Sequence, residues 1–406
     1  MPRITLRPSA LTAFLDTLPR SVLKSASPTH LPTQLPLALP SPLHTTNLIT
    51  ILHLVFSTLS SPTHAAYFGV TGSDPRETAV RGVMGLFLAS EDGWGADNLL
   101  STAAWKRGLL GEDKMVEFFG ITVMREKQHE TMQGITVGER WQPGVNVSGA
   151  LVDLFRGLGG KVPGRCVGEA LEATIRQARE TAGTGPSWAA DMAKTFCGEV
   201  GSDIVMEVFL AKVQVVGVER SLADSYNAPS GTVLPAAPLR LLQDLAYRHS
   251  QSDDLSLPLP SPVALSNLSP LPLPIHLLLI LGIFDLPPDL PGGSTLEGAI
   301  STWQSHDVDV LSVAQGTSSD SGRGAKRTME TIEVPTETLR QLQTASVEAC
   351  REIWAESRFA ESKEKGAGAE DWKRNMSMAD VARVCERLQG CIDREGLGVR
   401  LVPTGV

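Results

Sequence analysis

The stretch VSGALVDLFRGLGG, residues 147–160, decides how the chain is read. Val147, Leu151, Leu154, Phe155 and Leu158 recur at intervals of three and four, the spacing of one face of an α-helix. Gly159-Gly160 then supplies the left-handed conformation that a helix C-terminus favours. The GLGGK run at 157–161 therefore reads as a helix stop and not as a phosphate-binding loop.

The same period continues on both sides. Val167, Ala170, Leu171, Thr174, Ile175 and Ala178 form a second stripe, ended by Gly183. Upstream, Ala79, Val80, Val83, Met84, Phe87 and Leu88 predict a helix from Thr78 that stops at Asp92-Gly93. Residues 101–105 and 112–119 suggest two more helices around Gly108 and Gly111, and residues 204–222 another. Leu339, Leu342, Ser346, Ala349, Cys350 and Ile353 mark a late amphipathic helix, and residues 378–388 a final one. Residues 46–59 are apolar and β-branched, and fit a buried helix or a strand equally well. Strand signals are few and no internal repeat is present, so the fold class is mainly α.

The expected organisation follows the composition. Residues 1–35 read as a poorly ordered start and residues 36–250 as the first part of a helical core. Residues 251–330 read as an irregular Ser/Pro-rich insert holding the apolar segment 275–284, with its flanks at 251–274 and 287–330 as loops. Residues 331–406 supply the closing helices. The length of 406 residues suits one large domain or two ordinary ones, and 42% apolar residues allow a sizeable core.

A net charge of −9 argues against sequence-independent nucleic-acid binding, which needs a basic face, but leaves room for a pocket taking a small anion. The five cysteines contain no C-x-x-C pair and no metal-ligand spacing to histidine, so they read as reduced thiols of a cytosolic protein. The best apolar run has ten residues, about half of a membrane span. The first 73 residues hold Arg3, Arg7, Arg20 and Lys24 against Asp16 alone, a composition shared with mitochondrial transit peptides. A cytoplasmic location is expected, with mitochondria as the alternative.

The stretch HETMQGITVGE, residues 129–139, invites a chemical reading. His129-Glu130 is not a zinc half-site, because Gln133 stands where the second histidine would be, and adjacent residues point to different faces. GITVG at 134–138 lacks the Gly-Lys-Ser/Thr of a phosphate loop, and no Gly-x-Ser-x-Gly elbow occurs. His53 and His276, each in an apolar run, read as satisfied core histidines. Lys212 and Glu219 are seven apart and share a helical face. A solvated pair is the default for them, yet Lys212 sits within FLAKVQVV, and a partly buried lysine wants an anion.

In order along the chain, several segments resemble the queuosine salvage protein family in its fungal branch. They are PLALPSPL (36–43) with NLITILHLVFS (47–57), RGVMGLFLAS (81–90), NLLSTAA (98–104) and KMVEFFGI (114–121). His129-Glu130 with GITVGE (134–139) is the most specific, followed by GALVDLFRGLGG (149–160), FLAKVQ (209–214), LPIHLLLILGI (273–283) and ASVEACREI (345–353). The resemblance implies a single large helical domain related to helical DNA glycosylases, and hydrolysis of the N-glycosidic bond of queuosine 5′-phosphate to queuine and ribose 5-phosphate. It implies a small-molecule nucleotide as partner, with no metal, no cofactor, no direct nucleic-acid partner and no membrane.

Such a reaction needs a carboxylate against the sugar, a cation cluster for the phosphate and a flat, partly aromatic slot for the base. A divergent member would place Glu219 and Glu139 as the carboxylates, Lys212 at the phosphate or sugar, and Trp105 and His129 about the base. The chain departs from the family at several places, among them residues 384–389, where the family's C-terminal segment is unrecognisable. Pro270 stands where the family carries an aspartate before its Leu-Pro, Val55 where it carries an asparagine, and Ala211 where it carries a lysine. The alternative expectation is a catalytically inactive relative that binds a nucleoside or a protein.

Overall fold

The computed structural model describes residues 4–18, 22, 41–88, 111–128, 136–161, 166–202, 236–250, 257–266, 268–269, 271, 273–304, 330–357, 376–394 and 399–403. They are mainly helical, with fourteen α-helices and three two-stranded sheets of short strands. In chain order these are β1 (Thr5–Leu6), α1 (Pro8–Thr17), α2 (Pro42–Leu59), α3 (Ala65–Thr71), α4 (Pro75–Leu88), α5 (Glu112–Phe119) and β2 (Met124–Gln128). Next come β3 (Thr136–Arg140), α6 (Gln142–Lys161), α7 (Val167–Ala182), α8 (Trp188–Ser202), α9 (Ala236–Ser250), α10 (Pro262–Leu265) and α11 (Ile275–Ile280). The chain closes with β4 (Phe284–Asp285), α12 (Gly293–Gln304), β5 (Glu330–Val334), α13 (Thr336–Ser357), α14 (Met378–Arg394) and β6 (Val399–Pro403). The helices expected at 101–105 and 204–222 lie outside the described residues. No described helix is long and apolar enough to cross a membrane.

Backbone contacts divide the chain into two compact units. One comprises residues 31–219 and 237–261, and is organised on α2. Ser41 starts that helix, its side chain accepting from the His44 N–H, and Pro42 takes the first turn. Every residue from 46 to 55 is buried, polar ones included. A helix enclosed on all sides has no solvated face, which is why its sequence shows no period separating helix from strand.

Three helices, α4, α6 and α7, pack on α2. The closest approach is to α7, where a methyl group at Gly168 would stand 2.8 Å from the Asn47 Cα. Asn47 turns this approach to use: its Oδ1 accepts from the Gly168 N–H at 2.8 Å, satisfying one of the free donors at the start of α7.

The stripe of 147–158 is buried as its spacing predicts, and Phe155 meets the Phe119 ring with centroids 6.5 Å apart. Helix α6 nevertheless continues through Gly159-Gly160 to Lys161, one residue beyond the expected stop. On α4 the inward face is Thr78, Ala79, Gly82, Val83 and Leu86. Leu88, read as part of the stripe, is 62% exposed, and the expected stop at Asp92-Gly93 lies outside the described residues.

The other unit comprises residues 1–30, 220–236 and 262–406, and is centred on α13. Leu339, Leu342, Ser346, Ala349, Cys350 and Ile353 are all buried, on the face the sequence predicts. Helices α1, α11 and α14 pack against α13 together with β1 and β6. Strand β1 pairs antiparallel with β4, and β5 pairs parallel with β6 across the α13–α14 connection.

Two expectations are corrected here. Within the stretch 1–35, residues 8–17 form the packed helix α1 with Leu11, Phe14 and Leu15 buried, and residues 19–21 and 23–35 lie outside the described residues. Helix α12 lies in the Ser/Gly/Thr/Asp-rich text expected as loop, and Leu265, Leu271, Leu273, Leu290 and Leu296 are buried. The polar composition of these segments hid single leucine anchors, each of which releases apolar surface from water.

Candidate functional site

Residues 136–139 of the 129–139 stretch form most of strand β3. Helix α5 ends at Gly120, whose φ of 64° is left-handed, and Arg81 Nη2 donates to the Phe119 carbonyl at 2.8 Å. The chain then turns into β2, which pairs antiparallel with β3 in the register Met124↔Arg140 to Gln128↔Thr136. His129 and Glu130 lie outside the described residues. Trp141 continues the ladder, its N–H donating to the Val123 carbonyl at 2.8 Å. Gly144 is required just after, because a Cβ there would stand 1.9 Å from the Thr122 carbonyl oxygen. The two strands were not expected. All ten strand residues are exposed, so the sequence lacks the apolar–polar alternation that betrays a half-buried strand.

Alternation of side chains sorts the ribbon into two faces. One carries Arg125, Lys127, Val137 and Glu139, and runs on to Trp141 at the root. Glu139 stands directly across from Arg125 and is paired with Lys127 at 3.5 Å. The Arg125 guanidinium lies over the Trp141 ring, 4.0 Å from its centroid. Trp141 in turn contacts the Tyr67 ring at 5.3 Å, and the Tyr67 hydroxyl accepts from the Thr122 N–H at 3.0 Å. The opposite face carries Arg140, which is tied to both carboxylate oxygens of Glu112 at 2.8 Å.

One ribbon face thus gathers a carboxylate, two cations and the Trp141 ring, which is backed by the buried Tyr67. Its side chains are wet: Glu139 is 59% exposed and Lys127 55%. The charges therefore interact through a high dielectric, and the Lys127–Glu139 pair adds little to stability.

Among the sequence-predicted site residues, Glu139 is the one the structure places. Lys212, Glu219, Trp105 and His129 lie outside the described residues. Sequence reasoning missed Arg125, Lys127, Tyr67 and Trp141. Their signal is the strand register, which brings 125 opposite 139 and cannot be read before the pairing is known.

A second polar cluster is buried along α2. His53 Nε2 meets Asp244 Oδ2 at 2.9 Å, and His249 Nε2 meets Thr46 Oγ1 at 3.2 Å. The Thr46 hydroxyl donates to the Pro42 carbonyl, so its oxygen accepts from His249. Residue 46 bonds to 249 and residue 53 to 244, so α2 and α9 run antiparallel. His53 is the satisfied core histidine its apolar run predicts, and His276 Nε2 accepts from the Leu401 N–H at 3.2 Å. This seam is closed by its own hydrogen bonds and fixes how α9 lies on α2. Among the described residues no group of three His, Cys, Asp or Glu side chains is arranged to hold a metal ion.

His64 behaves differently. It is buried, and its Nδ1 finds no hydrogen-bond partner among the described residues. Burial pulls its pKa down from 6.5 to about 4. The unfolded chain takes up this proton below about pH 6.5 and the folded chain only near 4, so the stability is fully present above 6.5 and drains away between the two. By pH 5 the loss from this group is about 2 kcal/mol. Urea titrations at pH 7.5 and 5.0 are expected to show that part of the loss in the wild type and not in His64→Leu. An equal loss in both would contradict it.

Cys166, Cys197, Cys350 and Cys385 are buried thiols outside any disulfide, and desolvation pushes the Cys197 thiol up to about 12. No family model, curated protein or solved structure matches the chain.

Proposed function

We propose that this chain hydrolyses the N-glycosidic bond of a queuosine-type nucleoside 5′-phosphate, releasing the free base. The order and spacing of the resembling segments support the reading. The observation that carries it is the grouping of Glu139, Arg125, Lys127 and Trp141 along one face of the β2–β3 ribbon and its root, with β3 drawn from the most specific of those segments. These are the three chemical parts the reaction needs, and a ligand seated on them would exclude the water that now weakens their charges.

Glu139 would face the sugar, stabilising the oxocarbenium-like transition state and orienting a water for attack at the anomeric carbon. The bond to the base breaks, the water oxygen bonds to that carbon, and the water proton leaves with the base. Lys212 would face the phosphate or sugar, with Glu219 as the supporting carboxylate and Trp105 and His129 about the base. The reading places the protein in the cytosol, or in mitochondria, in keeping with its reduced thiols.

Glu139→Gln keeps the shape and removes the charge, so base release is expected to fall on the order of a hundred-fold. Lys212→Ala should slow it as well. Release undiminished in both variants would remove these residues from the reaction.

A second reading has its own observation. With Pro270 in the place of the family aspartate and Glu139 strongly exposed, the same face would bind a nucleotide without turning it over. Saturable binding by a protein that releases no base would favour it.

A further inference from the structure

We propose that Arg125 receives the 5′-phosphate and sets the preference of this site for phosphorylated over free nucleosides. The inference rests on reading the hairpin face as a nucleotide site. Of the two cations on that face, Lys127 is engaged by Glu139 at 3.5 Å. No carboxylate among the described residues pairs with Arg125. Its guanidinium rests instead on the Trp141 ring, 4.0 Å from the centroid, with its donors open to solvent.

A guanidinium held this way is a stored ligand group. Its planar fork matches two oxygens of a phosphate monoester, and charge-assisted bonds of that kind are stronger than the stacking contact they would replace. Leaving the ring also uncovers a face of Trp141, a flat surface for a planar base. Phosphate capture and base stacking are then one exchange: the ligand's anion draws the arginine off the indole, and the ligand's ring takes its place. A free nucleoside offers no anion, so the guanidinium stays on the ring and the base competes with it. Lys in place of Arg125 would keep the charge and lose the bidentate fork.

The test is isothermal calorimetry on the full chain with queuosine 5′-phosphate, queuosine and inorganic phosphate, run beside the base-release assay. Wild type is expected to bind the 5′-phosphate at least ten-fold more tightly than the nucleoside. Arg125→Gln should bring that ratio close to one with nucleoside affinity retained, and Arg125→Lys should fall between. Because residue 125 is exposed, neither variant should change the circular dichroism or the urea midpoint. A ratio in Arg125→Gln equal to wild type would overturn the assignment while leaving the glycosidic reading intact. No base release from wild type, with phosphate-selective binding still lost in Arg125→Gln, would overturn the hydrolase reading and leave the assignment standing. No binding of any of the three probes by wild type would overturn both.

Discussion

Asp244→Ala is expected to destabilise the α2-centred unit by about 3–5 kcal/mol. Asp244 lies opposite His53 with side chains 5% and 9% exposed, so neither group is repaid by water when its partner goes. Removing the carboxylate takes a buried partner from the imidazole and opens a small void between α9 and α2. The double variant His53→Leu, Asp244→Leu removes both polar groups and should recover most of the loss, since an apolar pair of similar volume often replaces a buried ion pair without penalty. Because the chain has two units, a single unfolding midpoint is not assured. Hydrogen exchange on α2 amides reports the right unit directly. Protection factors in Asp244→Ala within a few-fold of wild type would show that the seam does not hold α9.

Phe155→Ala is the second large effect, expected at about 3–5 kcal/mol. Phe155 is fully buried on the stripe that opens the reading of the fold, and its ring packs on Phe119 beneath α4. Phe119 in turn occupies the space a side chain at Gly82 would need, its ring atoms 2.1–2.3 Å from the missing Cβ. Truncating Phe155 therefore loosens a contact that runs through α6, α5 and α4. Arg156, its neighbour, is 75% exposed, and Arg156→Ala should stay within about 0.5 kcal/mol of wild type. Similar urea midpoints for the two variants would mean that the stripe is not the buried face.

What the sequence disclosed follows from how each element meets water. The stripes of α6, α7 and α13 were legible because each helix has one dry face and one wet face, and the 3.6-residue period records that contrast. Helix α2 gave no such contrast, being dry from 46 to 55, and left helix and strand undecided. The β2–β3 hairpin failed in the opposite way: both faces are wet, so its pattern MREKQ and TVGER contains no alternation. Helices α1 and α12 were masked by basic or Ser/Gly-rich text around a few buried anchors.

The candidate site was half legible for the same reason. Glu139 could be singled out because the GITVGE segment resembles a family motif. Arg125 and Trp141 could not, because they join Glu139 only through the cross-strand register and a stack at the hairpin root. Thr46 and His53 of the seam sit two helical turns apart, but their partners His249 and Asp244 are some two hundred residues away, and nothing local announces the pairing.

The most direct measurement is release of queuine from queuosine 5′-phosphate by the purified full chain, detected by mass spectrometry, with circular dichroism confirming a helical fold in the same sample. The account predicts queuine in proportion to enzyme and time, greatly reduced in Glu139→Gln. A folded, helical protein that releases no queuine would contradict the hydrolase reading.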